Sequence, residues 1–526
     1  MAPVTRRTLL AASGAGAAVA LVGARPAVAG FSSNPFQLGS ASGDPTTDSV
    51  ILWTRLAPKP TASDSGMAGQ PDSIPVHWRV AETYQDVQSD ATSLYHGNVA
   101  ALKRDSWSVH LDVKTALGGG PLKPNTTYHY QLSLPDQSYR AWIGQTRTAP
   151  TASTTVNANF AVVTCQSAAT SAAVNDGPSY WHGYTHLQDN PVHFVIHLGD
   201  YIYREGHENT VPTGTCTELW QYRARWGWYL SRDAIQRVRR LNPMYAVPDD
   251  HEVYNDYQGA NIRPRFGEGT DWQLERFNQG MQAYWENMPV RAPRPAAIPG
   301  EDKVRCQISR IGLNWGTTLD LSLLDTRQFR TDPSATSPTL LGTKQLAATL
   351  QWIQQSQATW TALGLTTPLT AYYTSPGVPA PAREWRAYPA ERDQITAALA
   401  AKRNPVAVAG DVHCPFVSRV TRSNDPGDPN YVATEFSAPP MSSYTGTDWE
   451  VRRDANPDVY LWMGLRADGT SRPQPQPLKG YLRCTATPST FYTNFYGTHQ
   501  TQYATGQVTS VARFRTSDGV IGAVPY

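Results

Sequence analysis

A chain of 526 residues is too long for one hydrophobic core and implies two domains. Its formal net charge of +2, with no long basic or acidic block, removes the electrostatic case for a nucleic-acid partner. With 41 Pro, 39 Gly, 16 Trp and 26 Tyr but only 17% charged residues, the composition is that of a folded, loop-rich, aromatic protein and not a disordered one.

The first 29 residues stand apart from the rest. Arg6 and Arg7 precede an apolar, small-residue run from Leu9 to Gly23, and Ala27-Val28-Ala29 supplies a small-residue cleavage pattern. The paired arginines predict a twin-arginine signal, with an ordinary secretory signal as the alternative. The expectation is a chain passed to the twin-arginine export machinery and then secreted, extracellular or associated with the cell wall. No apolar run long enough to span a membrane follows Gly30. Five cysteines are an odd number for an exported chain, so at least one is unpaired or a ligand. Cys165, which closes an apolar strand, is the candidate. Cys216, Cys306, Cys414 and Cys484 could form two disulfides or remain buried thiols.

Short alternating runs fill residues 36–150. Residues 49–54, 76–80, 107–113 and 127–132 each read as a strand, separated by Gly, Pro, Asn and Asp. They predict an all-β sandwich of immunoglobulin or fibronectin type over residues 30–150, structural in role, with carbohydrate or wall binding as the alternative. Residues 151–159 are a polar linker, after which strands alternate with helices. Strands are expected at 160–164, 192–198, 244–247, 319–324 and 405–409, and helices at 219–241, 343–359 and 391–402. Residues 151–526 thus read as an α/β domain with β-strands flanked by helices. The run 491–496 reads as a sheet edge.

Chemistry-bearing residues collect where those strands end. Cys165 follows the first strand, Asp200 and Tyr203 the second, Asp249, Asp250 and His251 the third, and Asp411 and His413 the last. Open α/β sheets gather ligands at the carboxyl ends of their strands. Asp200 and Tyr203 alone could equally be a helix cap and a half-buried aromatic; the joint occurrence is what points to a metal site. A thiol and a phenol favour a trivalent or borderline transition metal, and the carboxylates favour a hard divalent ion. Two metals sharing a bridging carboxylate would use all these donors and suit phosphoryl transfer to water, so a phosphate ester hydrolase follows.

The same residues carry a family resemblance. Residues 36–56, Thr164-Cys165-Gln166, Gly199-Asp200-Tyr201-Ile202-Tyr203, Asp249-Asp250-His251-Glu252-Val253, Leu324-Asp325-Thr326-Arg327 and Gly410-Asp411-Val412-His413 together resemble the D-type alkaline phosphatases. These are the PhoD-like branch of the calcineurin-like metallophosphoesterases. The resemblance implies a metallophosphoesterase core with an iron and calcium centre. Cys165, Asp200, Tyr203 and His413 would hold Fe3+, with Asp200 also facing Ca2+. Asp250 and Asp411 would serve one or two Ca2+ ions, with an amide oxygen from Asn255. His251 takes the place of the histidine in the superfamily's Gly-Asn-His-Glu motif, either protonating the leaving oxygen or orienting its neighbours. Arg225 is a candidate phosphate clamp, although a solvated face explains most of that helix's arginines.

The implied activity is hydrolysis of phosphate mono- and diesters for phosphate acquisition. Phospholipid or wall teichoic acid is the diester alternative, met by Trp220, Trp226 and Trp228 unless these pack the helix onto the sheet. A non-catalytic surface-binding protein is the reading from another class. Two departures from the family pattern touch the pocket wall: Arg204 separates Tyr203 from Glu205, where many relatives have Glu directly after the Tyr, and Pro248 stands where Trp is usual.

Overall fold

Two facing β-sheets form because their central strands are apolar on both faces. In the strand Trp360–Leu365, Trp360 and Ala362 enter one apolar cluster while Leu363 and Leu365 enter another. In Pro405–Ala409, Val406 and Val408 part from Ala407 and Ala409 in the same way. One side of this sheet therefore meets the other sheet and the opposite side meets helices, as buried parallel strands require. The computed structural model describes residues 30–89, 95–168, 181–206, 210–259, 273–297, 304–305, 309–375, 377–379, 384–443, 460–462, 478–499 and 506–526. Residues 31–526 pack as one unit. The expected export signal and Cys306 lie outside the described residues.

The first sheet takes up β1 (Ser40–Gly43), β2 (Ile51–Arg55), β3 (Ser73–Ala81), β4 (Tyr95–Leu102), β5 (Ser108–Asp112), β6 (Thr127–Ser133), β7 (Gly144–Arg147), β8 (Ala158–Val163), β9 (Phe194–Leu198) and β10 (Met244–Val247). Beside β8 lie the C-terminal strands Leu478–Ala486, Thr490–His499, Thr509–Ser517 and Val524–Pro525. In space β8, β9, β10 and β1 run parallel, and β2, β5, β4, β3, β6 and β7 continue the sheet beyond them. The N-terminal strands thus join the parallel core where Gly43 pairs with Met244, while closing around an apolar cluster of their own that includes Leu52, Val76, Trp78, Val109 and Tyr130. β4 was not legible in the sequence because its first residues, Tyr95 and His96, are exposed and show no apolar alternation. Residues 491–496 lie in Thr490–His499, which pairs on both sides, so this is an interior strand and not the expected edge.

The second sheet runs in the order Arg310–Trp315, Leu319–Leu324, Trp360–Leu365, Pro405–Ala409, Tyr431–Ser437, Phe416–Thr421 and Tyr460–Trp462. Leu319–Leu324, Trp360–Leu365, Pro405–Ala409 and Tyr431–Ser437 are parallel. Helices Gly342–Gln355 and Pro389–Ala400 cover its outer face, and His182–Asp189 and Asp233–Leu241 pack on the first sheet. The single helix expected over 219–241 is two. Leu219–Leu230 ends where Ser231 Oγ donates to the Gly227 carbonyl (2.6 Å), Arg232 is extended, and Asp233–Leu241 begins afresh. Of its tryptophans, Trp226 is buried and stacked on Tyr201, Trp228 lies under the Arg232 guanidinium, and Trp220 donates to Glu218.

Two glycines let the strand ends converge. Gly199 has a φ of +90°, and a Cβ there would lie 2.4 Å from Asp249; a Cβ on Gly410 would lie 2.5 Å from Thr164 Oγ1. Any side chain at either position would push the ends of β8, β9, β10 and Pro405–Ala409 apart.

Candidate metal centre

Cys165, Asp200, Asp411 and His413 share an unusual backbone, with φ of 51°, 56°, 65° and 51°. The left-handed region costs a residue with a Cβ about 1–2 kcal/mol, so four instances at converging strand ends mark a place where geometry outweighs local comfort. The side chains meet in three overlapping groups whose donor atoms all lie within 4.8 Å of one another. These are Cys165, Asp200 and His413; Asp200, Asp250 and His251; and Asp249, Asp250 and Asp411.

Tyr203 belongs to the first group. Its hydroxyl lies 3.0 Å from Asp200 Oδ2, 3.1 Å from His413 Nε2 and 2.8 Å from Ser443 Oγ. Burial pushes the Cys165 thiol and the Tyr203 hydroxyl well above their usual ranges, and the Asp200 carboxylate adds to both. Burial likewise raises Asp200; His251 pulls it down, while Asp250 and Asp249 push with burial. These directions describe negative groups held together in a dry site, which a cation would reverse.

Arg327 partly answers that need on the other side. Its buried guanidinium forks onto Asp249 (2.6 and 3.1 Å), reaches Asp411 Oδ1 at 3.3 Å, and lies 3.8 Å from Asp250 Oδ1. Asp411 is nonetheless raised, by burial and then by Asp249. His251 Nδ1 meets Glu205 Oε2 at 2.8 Å, and its ring lies against Tyr203 at a tilt of 31° with centroids 4.1 Å apart. Burial works against a charge on His251, yet Asp200, Asp250 and Glu205 raise it well above the imidazole range. Glu205, against the penalty of burial, is held down to about 2 by that partner. Glu205 makes this contact with Arg204 standing between it and Tyr203 in sequence, and Arg204 itself turns away onto the Cys216 carbonyl and the Tyr254 ring.

Two candidates lie apart. Arg225 is no phosphate clamp. Its buried guanidinium donates to the carbonyls of Tyr203, Arg204, Pro212 and Gly214, so it pins the loop that follows Asp200. Asn255 is half-buried, with its amide nitrogen on Asp256 (2.8 Å), whose own backbone N–H donates to Asp250 Oδ2, which leaves the Asn255 oxygen as the donor it could offer. Cys165, Cys216 and Cys484 are free and buried, and Cys414 is buried, so for Cys216 and Cys484 the buried-thiol alternative holds.

The donor set fits metal ions on two counts. Soft and hard donors adjoin, and Asp250 Oδ1 is buried without a hydrogen-bond partner, the Arg327 guanidinium standing 3.8 Å away, so a lone pair is left for a metal ion.

Comparison with known proteins decides the family. The PhoD-like phosphatase model matches residues 160–495, and the PhoD-like phosphatase N-terminal domain model matches residues 23–150. The chain belongs to the PhoD-like phosphatase family. It is 29% identical over 492 residues to alkaline phosphatase D of Bacillus subtilis strain 168, covering 87% of this chain and 76% of that protein. A solved structure of PhoD superposes with a TM-score of 0.79 at 26% identity, covering 94% of this chain and 93% of that one. The purple acid phosphatase PPD1 from yellow lupin seeds gives 0.50 at 12% identity, covering 91% and 73%, which is likeness of fold. This PhoD-like phosphatase is a hydrolase of phosphoric esters, on a metallophosphoesterase-like fold of mixed α/β sheets.

Arg327 is a residue of this site that sequence reasoning passed over. It stood inside a recognised motif, and its signal was an arginine three residues after a strand that ends beside acidic strand ends. Ser443 had no such signal, since it lies in no motif and acts across 240 residues of chain.

Proposed function

We propose that this phosphatase is exported and metal-dependent, hydrolysing phosphate mono- and diesters with water for phosphate acquisition. In this reading Cys165, Asp200, Tyr203 and His413 hold Fe3+, while Asp200, Asp250, Asp411 and Asn255 serve Ca2+. The observation that carries it is the adjoining of a thiol, phenol and imidazole group with a carboxylate group through Asp200 and Asp250. When bound, the ions supply the Lewis acidity that neutralises phosphate charge and acidifies water.

The chain's own residues do the remaining work. Glu205 engages His251 Nδ1 and leaves Nε2 to give its proton to the leaving ester oxygen, and the carboxylates around the ring keep that proton in place. Tyr203, packed against the imidazole, limits its rotation. Arg327 holds Asp249 and steadies Asp411, so the carboxylates meet the substrate already oriented. Residues 1–29 act as a twin-arginine signal, a route for folded proteins that suits metal loading before export. The N-terminal strands serve a structural role.

Initial rates of nitrophenol release from nitrophenyl phosphate and from the bis-ester, with iron and calcium supplied, test the reading. Faster release from the monoester supports phosphate scavenging. Faster release from the bis-ester moves the natural substrate to diesters, and release from neither overturns the proposal. A colourless protein that is fully metallated and active would remove Tyr203 from the iron.

A further inference from the structure

Ser443 lies beyond the strand Tyr431–Ser437, on a short segment fastened to the loop that carries Cys165. Met441 N donates to the Thr164 carbonyl (2.9 Å), Ser442 N and Ser443 N both reach the Cys165 carbonyl (3.4 and 3.1 Å), and Ser442 Oγ donates to the Ser167 carbonyl (2.8 Å). Ser443 Oγ, 1% exposed, accepts from Ser167 N (2.9 Å) and stands 2.7 Å from the Cys165 carbonyl and 2.8 Å from Tyr203 Oη. One hydroxyl proton faces two acceptors. The Cys165 carbonyl already receives two amide protons, so the Tyr203 oxygen is the acceptor in need. The other neighbours of that oxygen, Asp200 and His413, belong to the donor set and would turn to a bound ion. Ser443 alone among the three has no place in that set.

We propose that Ser443 is a positioning residue for the metal centre: its hydroxyl donates to the Tyr203 oxygen, fixing the ring and drawing charge from the phenolate that binds the trivalent ion. The proposal rests on the reading of Tyr203 as a ligand. Such outer hydrogen bonds orient ligands and set their basicity.

The visible absorption of iron-loaded protein tests it. In Ser443→Ala the phenolate keeps more charge, so its charge-transfer band moves to longer wavelength, and the ring, no longer fixed, gives up iron to a chelator about 10-fold more readily. Ser443→Thr keeps the hydroxyl and the wild-type band. A band unmoved in Ser443→Ala overturns the proposal. Should that variant not fold, Ser443→Cys, with a weaker donor of similar size, is read instead: a smaller shift in the same direction supports the role and an unmoved band overturns it. An iron-loaded wild type without a band overturns the assignment of Tyr203 as ligand, an outcome distinct from failure of Ser443.

Discussion

At the seam where the N-terminal strands meet the rest of the molecule, buried and half-buried carboxylates come with arginines. Asp44 receives Arg310 Nε at 2.9 Å, Asp112 meets Arg291, Asp105 receives Arg294 Nε at 2.6 Å, and nearby Glu286 receives Arg223 Nε at 2.7 Å. At the converging strand ends, Asp200, Asp249, Asp250 and Asp411 crowd with Cys165 and Tyr203 around Arg327 and His251. One region is a finished structural joint. The other is short of positive charge, and that shortage is what a metal would relieve.

Asn at a carboxylate position separates the two. Asp200→Asn should lower the rate of ester hydrolysis by about 10³-fold or more, since it removes a donor common to two groups. The metal-free variant should unfold at no lower urea concentration than metal-free wild type, because a buried charge has been removed; a large loss of apo stability would erase the contrast. Asp44→Asn should do the reverse, costing about 3–5 kcal/mol in urea unfolding by stranding Arg310, with hydrolysis per folded molecule unchanged.

Glu205→Gln sharpens the chemistry on the site's side. Without its anionic partner His251 holds its proton less firmly and carries it less often, so hydrolysis of an alkyl phosphate should fall about 10²-fold, while a nitrophenyl ester, whose leaving group needs no proton, should fall far less. Metal loading should stabilise the protein by about 3 kcal/mol at a hundredfold excess over the dissociation constant, read as a rise in Tm that a chelator reverses. The smallest effect belongs to the seam. Burial pushes His110 down to about 4, against the carbonyls of Met288 and Trp285 that it meets across the joint. A depressed imidazole is neutral in the fold, so its share of stability is complete above about pH 6.5 and fades as pH falls toward about 4. His110→Gln should flatten the stability curve in that window and leave it unaltered above.

How much of this was legible beforehand follows from which interactions are local. The parallel strands and the donors at their ends could be read because an apolar run and the residue after it are neighbours in sequence, as with Val163 and Cys165 or Leu198 and Asp200. Arg225 misled because it stands on the helix that follows the Asp200 and Tyr203 motif, and only the folded loop shows that four carbonyls claim its N–H groups. The joining of β1 to β10 was invisible since the pairing of Gly43 with Met244 spans 200 residues and leaves no periodic trace. The break at Ser231 depended on one side-chain hydrogen bond inside an unbroken helical pattern.

The left-handed backbone at Cys165, Asp200, Asp411 and His413 also bears on how such a protein drifts. Glycine at any of the four would relax the chain by about 1 kcal/mol while deleting a donor. A library screened for heat tolerance alone should therefore accumulate glycine there and return sturdy, inactive winners, and a duplicated gene released from its task should begin to decay at the same four codons.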